Sequence, residues 1–227
     1  MSSSRRWFVS LLSPIALCMI TCRPATSTIQ RVVPNENRVA AGVLRSDTLV
    51  IHLEAREGRW FPDGDDGPSG VMPMFAEEGQ APLNPGPLIR VPTGTIIHAT
   101  VRNSLRDSTL MVVGLSTRPG ALADSIHVPP GAMRELTFPA GVPGTYFYWG
   151  TTTDTPVQDR NGIDSQLHGA FIVDSVGAVA PDRIFVLGSM TGLADTLGSR
   201  ELRVINGLSW PHTERFTYTA GDTIRWR

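Results

Sequence analysis

From Thr48 to the end of the chain, apolar residues come in short runs cut by glycine and proline, and none of these runs keeps the spacing of a helical face. The 227 residues include 22 glycines and 18 prolines, scattered between the runs instead of clustered. A chain punctuated this way builds many short strands and turns. TLVIHLEAREGRWF (48–61) alternates as a strand, and PDGDDGPSG (62–70) follows it as an acidic turn or loop, ahead of a Met/Pro stretch. PGPLIRVPTGTIIHATVRNSL (85–105) reads as two strands broken at Pro92 to Gly94. TLMVVGL (109–115), RELTFP (134–139), GTYFYW (144–149), HGAFIVD (168–174), RIFVLG (183–188) and ELRVING (201–207) complete the set of predicted strands. The expected fold class is all-β, a sandwich or barrel of Greek-key type.

Charge excludes some partners. With 20 basic and 21 acidic residues, nothing electrostatic points to nucleic acid or to an anionic surface. The first 22 residues differ in kind from the rest. Arg5 and Arg6 precede an apolar run from Trp7 to Ile20, which is the layout of a secretory signal and short for a membrane span. Cys22, following Met19, Ile20 and Thr21, loosely resembles a lipoprotein cleavage site, although leucine is usual at the position of Met19 and a smaller residue at that of Thr21. The expected location is exported, periplasmic or extracellular, either free or held by a lipid on Cys22; an amino-terminal anchor that stays attached is the plainer alternative. Cys18 and Cys22 are the only cysteines, so the rest of the chain has neither an internal disulfide nor a thiolate to offer a metal.

Residues 23–46 are polar and mixed and read as a linker. Further on, PTGTIIHA (92–99) and TAGDTIRW (219–226) share a turn glycine, a threonine and a following isoleucine. Gly94 and Gly221 are about 127 residues apart, close to the size of one β-sandwich domain. One complete domain is therefore expected over 47–176, with a second similar domain opening over 181–227. About 47 residues are too few to close a sandwich around a core. The expectation is a truncated second domain, completed by a further stretch of chain or by another subunit.

Several stretches together resemble the multicopper oxidases. PGPLIRVPTGTIIHATVRNSL is similar to that family's early segment. VPPGAMRELTFPAGVPGTYFYW (128–149) resembles its run from a Pro-Gly turn to an aromatic strand, and DRNGIDSQLHGAFIVD (159–174) the loop and strand that follow. INGLSWPHTERFTYTAGDTIRWR (205–227) is similar to the start of a later domain. The resemblance covers residues 48–227 and implies cupredoxin-like β-sandwich domains, copper as cofactor and oxidation of a substrate with reduction of dioxygen. It also implies two His-x-His pairs in the first domain, since alternation on a strand puts both imidazoles of a pair on one face. Neither pair is present. Val112 and Gly114 are expected at the first place, and Trp149 and Thr151 stand at the second, after GTYFY.

No two of His52, His98, His127, His168 and His212 lie within ten residues of one another, so spacing offers no local ligand pair. His98 reads as structural or at the surface, His168 as a hydrogen-bonding residue before its strand, and His212 as structural or capping. Asp63, Asp65 and Asp66 read as a solvated turn, because DGDDG lacks the spacing and terminal glutamate of a calcium loop. Catalytic, cofactor-binding and metal-ligating residues are thus all expected to be none within residues 1–227, and these residues alone are expected to be inactive. Two functions remain. One is the amino-terminal part of an exported copper-dependent oxidoreductase whose copper sites lie in a carboxy-terminal region. The other is a non-catalytic cupredoxin-like module for binding or scaffolding in the cell envelope.

Overall fold

A computed structural model describes residues 28–119, 124–177, 182–191, 197–198 and 200–227. Residues 1–27, with the expected amino-terminal signal and both cysteines, lie outside the described residues. Through the first unit the strands are β1 (Gln30–Arg31), β2 (Val33–Pro34), β3 (Val43–Arg45), β4 (Thr48–Trp60), β5 (Gly70–Glu77), β6 (Leu83–Asn84) and β7 (Gly86–Pro92). They continue as β8 (Ile96–Asn103), β9 (Leu110–Val113), β10 (Ile126–Val128), β11 (Met133–Pro139), β12 (Gly144–Thr151) and β13 (His168–Asp174). The second unit adds β14 (Asp182–Arg183), β15 (Leu187–Thr191), β16 (Glu201–Ile205), β17 (Leu208–Ser209) and β18 (Arg225–Trp226).

Two sheets form the first unit. One runs β11-β8-β4-β5-β6-β2, with β1 and β3 also on β4; the other runs β10-β9-β12-β13-β7. Strict alternation in β4 sends Leu49, Ile51, Leu53 and Ala55 inward and leaves Val50 and His52 exposed. From the facing sheet come Leu110, Val112, Tyr148, Phe171 and Val173, and together these residues make the main core. Tyr148 and Phe75 pack with ring centroids 5.2 Å apart, and the Tyr148 hydroxyl donates to the Pro87 carbonyl at 2.7 Å. This inner half of the sandwich is what period-two alternation predicts.

Two expectations are corrected. Described residues of the supposed linker, 28–46, are built into the first sheet: Gln30 pairs with Gly58, Val43 with Val50, and Val32 and Ala41 are buried. The Met/Pro stretch is a strand, β5, paired along its length with β4. β5 is buried on both faces. Phe75 enters the main core, whereas Met72 and Met74 turn outward and join Val32 and Trp60 beneath Met190, Leu197, Leu202 and Val204 of the second unit. A strand covered on both sides loses the alternation that identifies it. Pro73 is tolerated because β6 reaches only Phe75, which leaves Pro73 without a ladder partner on that side.

The match between residues 92–99 and 219–226 extends to geometry. Thr95 N–H donates to the Pro92 carbonyl and Asp222 N–H to the Thr219 carbonyl, closing equivalent turns. Gly94 and Gly221 occupy the same turn position with φ +83 and +102, which glycine adopts without strain. The strand after each turn pairs in parallel with an earlier strand of its own unit, His98 of β8 opposite Val50 of β4 and Arg225 of β18 opposite Asp182 of β14. Among the described residues, the second unit consists of the β14-β18 pair and the sheet β15-β16-β17.

The two units are tied by charge as well as by packing. Arg90 on β7 donates to Asp174 and to Asp182, each at 2.7 Å, and Arg227 also reaches Asp182. The acidic loop is docked at Asp63, which accepts from Ser209 and Arg200, whereas Asp65, paired with Arg31, and Asp66 are exposed, in keeping with a solvated turn. Burial alone would raise the Asp63 pKa, but Ser209, Arg200 and the nearby His212 outweigh it and lower the group.

Candidate functional site

The register of β9, β12 and their neighbours fixes which side chains share a face. Trp149 lies opposite Val113 on one side and His168 on the other; Thr151 lies opposite Met111, which in turn lies opposite His127. Directly opposed residues point the same way. The outer face at the end of β12 therefore carries the rows Val113–Trp149–His168 and His127–Met111–Thr151. The first expected pair position is thereby corrected by one residue: Met111 and Val113 stand beside Trp149 and Thr151, while Val112 points into the main core. Gly114, just beyond β9, takes φ +96 at the strand end.

The threonines after β12 all serve one carboxylate. Asp164, buried, accepts from the Thr151 hydroxyl at 2.8 Å, the Thr152 amide at 2.7 Å, the Thr152 hydroxyl at 2.8 Å and the Thr153 hydroxyl at 2.9 Å. Four donors satisfy a buried carboxylate without a metal. This centre was missed from sequence. Three consecutive threonines leaving a strand, followed by the acidic residues of DRNGID, are its only trace there.

Arg160 lies over Trp149, with its guanidinium carbon 4.9 Å from the ring centroid. One terminal nitrogen donates to the carbonyls of Asp164 and Leu167, while the buried Nε–H has no acceptor. Burial lowers the Arg160 pKa to about 10, with Asp164 opposing the shift. Burial is also the main reason that His168 falls to about 3; the Arg160 charge adds to it, and a hydrogen bond with the Ser165 backbone opposes it. Burial and the Arg160 charge thus disfavour the imidazolium form of His168.

The other histidines are dispersed. His98 meets Thr137 at 2.9 Å on an exposed surface, and His212 packs against Gly64 in the acidic loop. His127 sits on the edge strand β10 and His168 on β13, which β7 flanks; they are three strand spacings or about 14 Å apart across the sheet and lie in different rows along it. No group of three His, Cys, Asp or Glu side chains converges among the described residues. A copper ion held by histidine pairs needs converging imidazole nitrogens, and this face presents Val113, Trp149, Met111 and Thr151. The residues present do not fit that metal.

Two mainly antiparallel sheets around one core, with a parallel β4–β8 pair and a second unit opening in the same way, define a cupredoxin-like sandwich. This is the fold of multicopper oxidases and copper nitrite reductases. The chain is similar to the blue copper oxidase from Nitrosomonas europaea, at 21% identity over 79% of this chain and 59% of that one, with a TM-score of 0.58. It is similar to the multicopper oxidase mgLAC, at 20% identity over 80% of this chain and 60% of that one, also with a TM-score of 0.58. The copper nitrite reductase from Nitrosomonas europaea matches at 22% identity over 70% of this chain and 56% of that one, with a TM-score of 0.51. In all three cases the chain spans less than two thirds of the neighbour's length. No family model and no curated protein matches the sequence.

Proposed function

We propose that these residues are the amino-terminal part of an exported copper-dependent oxidoreductase whose copper is held elsewhere, beyond the first unit. The reading rests on the repeated geometry of the second unit: the turn at Gly221 and the parallel β14–β18 pair repeat the turn at Gly94 and the β4–β8 pair. The likeness of the fold to copper oxidases supports the same reading. In this reading the first unit contributes no metal ligand. Its outer face is organised by Asp164 instead, and the unit serves as a rigid wall for the part of the protein that carries copper.

The Asp164 centre also favours a second reading, a non-catalytic cupredoxin-like module of the cell envelope. The coding sequence downstream of Arg227 separates the two. A His-x-x-His-x-His segment soon after TIRWR, followed later by His-Cys-His and a methionine, supports the oxidoreductase. A stop codon directly after Arg227 in intact DNA refutes it and supports the module. Export is checked independently by recovering the protein from the periplasmic or extracellular fraction, with lipid labelling at Cys22 distinguishing an anchored from a free form.

A further inference from the structure

Between the outer face of the five-stranded sheet and residues 184–189 lies a cavity of about 400 Å³. Its lining includes the polar groups of Arg160, His168, Gln158 and Ser165 and the apolar side chains of Phe147 and Ile184. No acidic residue lines it. Arg160 makes no contact of ion-pair length with a carboxylate among the described residues; Asp164 meets it through its backbone carbonyl and, at longer range, by charge. The buried Nε–H is left without an acceptor. Uncharged His168 adds no second positive charge. The cavity thus offers one cation with no acidic partner in the lining, together with hydrocarbon from Phe147 and Ile184, in the size range of small-ligand sites.

We propose that this cavity binds a small monocarboxylate bearing an apolar group, its carboxylate on the Arg160 guanidinium and its apolar part against Phe147 and Ile184. A carboxylate meets two needs of Arg160 in one contact, an acidic partner that the cavity lining lacks and a charge-assisted hydrogen bond to the guanidinium. A neutral ligand of the same shape satisfies neither. The site uses no metal and goes beyond the oxidoreductase reading, on which it does not depend.

The test titrates the full chain with benzoate and with benzyl alcohol, followed by chemical-shift changes in NMR spectra. Benzoate is expected to bind saturably with a Kd on the order of 1 mM, as befits so small a ligand, and benzyl alcohol at least about tenfold more weakly. Arg160→Gln is expected to weaken benzoate about tenfold and leave benzyl alcohol unchanged. Leu187→Glu serves where Arg160→Gln disturbs folding, since Leu187 is 73% exposed at the cavity rim. Its added negative charge is expected to weaken benzoate by a similar factor at unchanged thermal midpoint. Failure of benzoate to saturate, equal binding of benzyl alcohol, or unchanged benzoate affinity in the folded variants overturns the proposal.

Discussion

The Thr151 hydroxyl donates to the Asp164 carboxylate across 2.8 Å, at the point on β12 where the family resemblance calls for an imidazole. A carboxylate that gathers four donors from three successive threonines fixes the exit of β12 and occupies the place of a metal as the organiser of that face. Asp164→Ala strands several of these donors at once and is expected to cost about 3 kcal/mol or more. Thr151→Val, which removes one bond, is expected to cost about 1–2 kcal/mol. Urea unfolding measures both, and a loss below about 1 kcal/mol for Asp164→Ala contradicts this role.

His168 makes stability depend on pH in a defined window. Its folded pKa is about 3, whereas an unfolded histidine titrates near 6.5, so between these values the unfolded chain binds the extra proton. The contribution is complete above about pH 6.5 and declines as the pH falls toward 3. At pH 5 the expected loss is about 2 kcal/mol relative to pH 7.5. Unfolding curves at the two pH values should show this difference in the parent chain and a much smaller one in His168→Gln.

Asp182 is the hinge of the charge network between the units. Its side chain is almost wholly shielded from solvent and receives Arg90 and Arg227. Burial opposes its ionisation, but the hydrogen bonds and charges of the two arginines outweigh burial and hold its pKa below the usual carboxylate value. That stabilisation is present above about pH 4 and is lost as the pH falls through the lowered folded pKa. Asp182→Ala leaves both arginines short of a partner and is expected to cost about 2 kcal/mol or more. Hydrogen exchange should then accelerate at Phe185 and Val186, whose amides bond within the second unit, and leave β12 unchanged.

Gly169 is required by close approach. A Cβ there would stand 2.4 Å from the Tyr148 ring and hydroxyl, and Tyr148 is fully buried. Gly169→Ala forces that ring to move and threatens its bond to Pro87, with an expected cost of about 1–3 kcal/mol. A thermal midpoint unchanged from the parent contradicts this packing.

The fold was legible wherever one face of a strand meets the core and the other meets solvent. β4, β8 and the inner half of β12 show this alternation plainly. β5 was hidden because Met72 and Met74 are buried on one side and Phe75 on the other, a consequence of the second unit that no local pattern records. Residues 30–45 were hidden for a different reason: their strands of two or three residues are too short to show a period and are held by pairing with β4 and β6. At the outer face, the missing imidazoles at Trp149 and Thr151 could be read directly. Their neighbours could not, because choosing Met111 and Val113 over Val112 and Gly114 requires the register of β9 against β12. Asp164 and Arg160 belong to a loop that only the fold returns to that face.

The outer face of the first unit, organised by Asp164 and its threonines, is predicted to hold no copper. The most direct measurement is the copper content of the tag-free, purified 227-residue chain after incubation with Cu(II) and desalting. The predicted result is far less than one copper per chain, with no copper signal in the electron paramagnetic resonance spectrum. One tightly held copper per chain, lost when His127 or His168 is replaced, would contradict it.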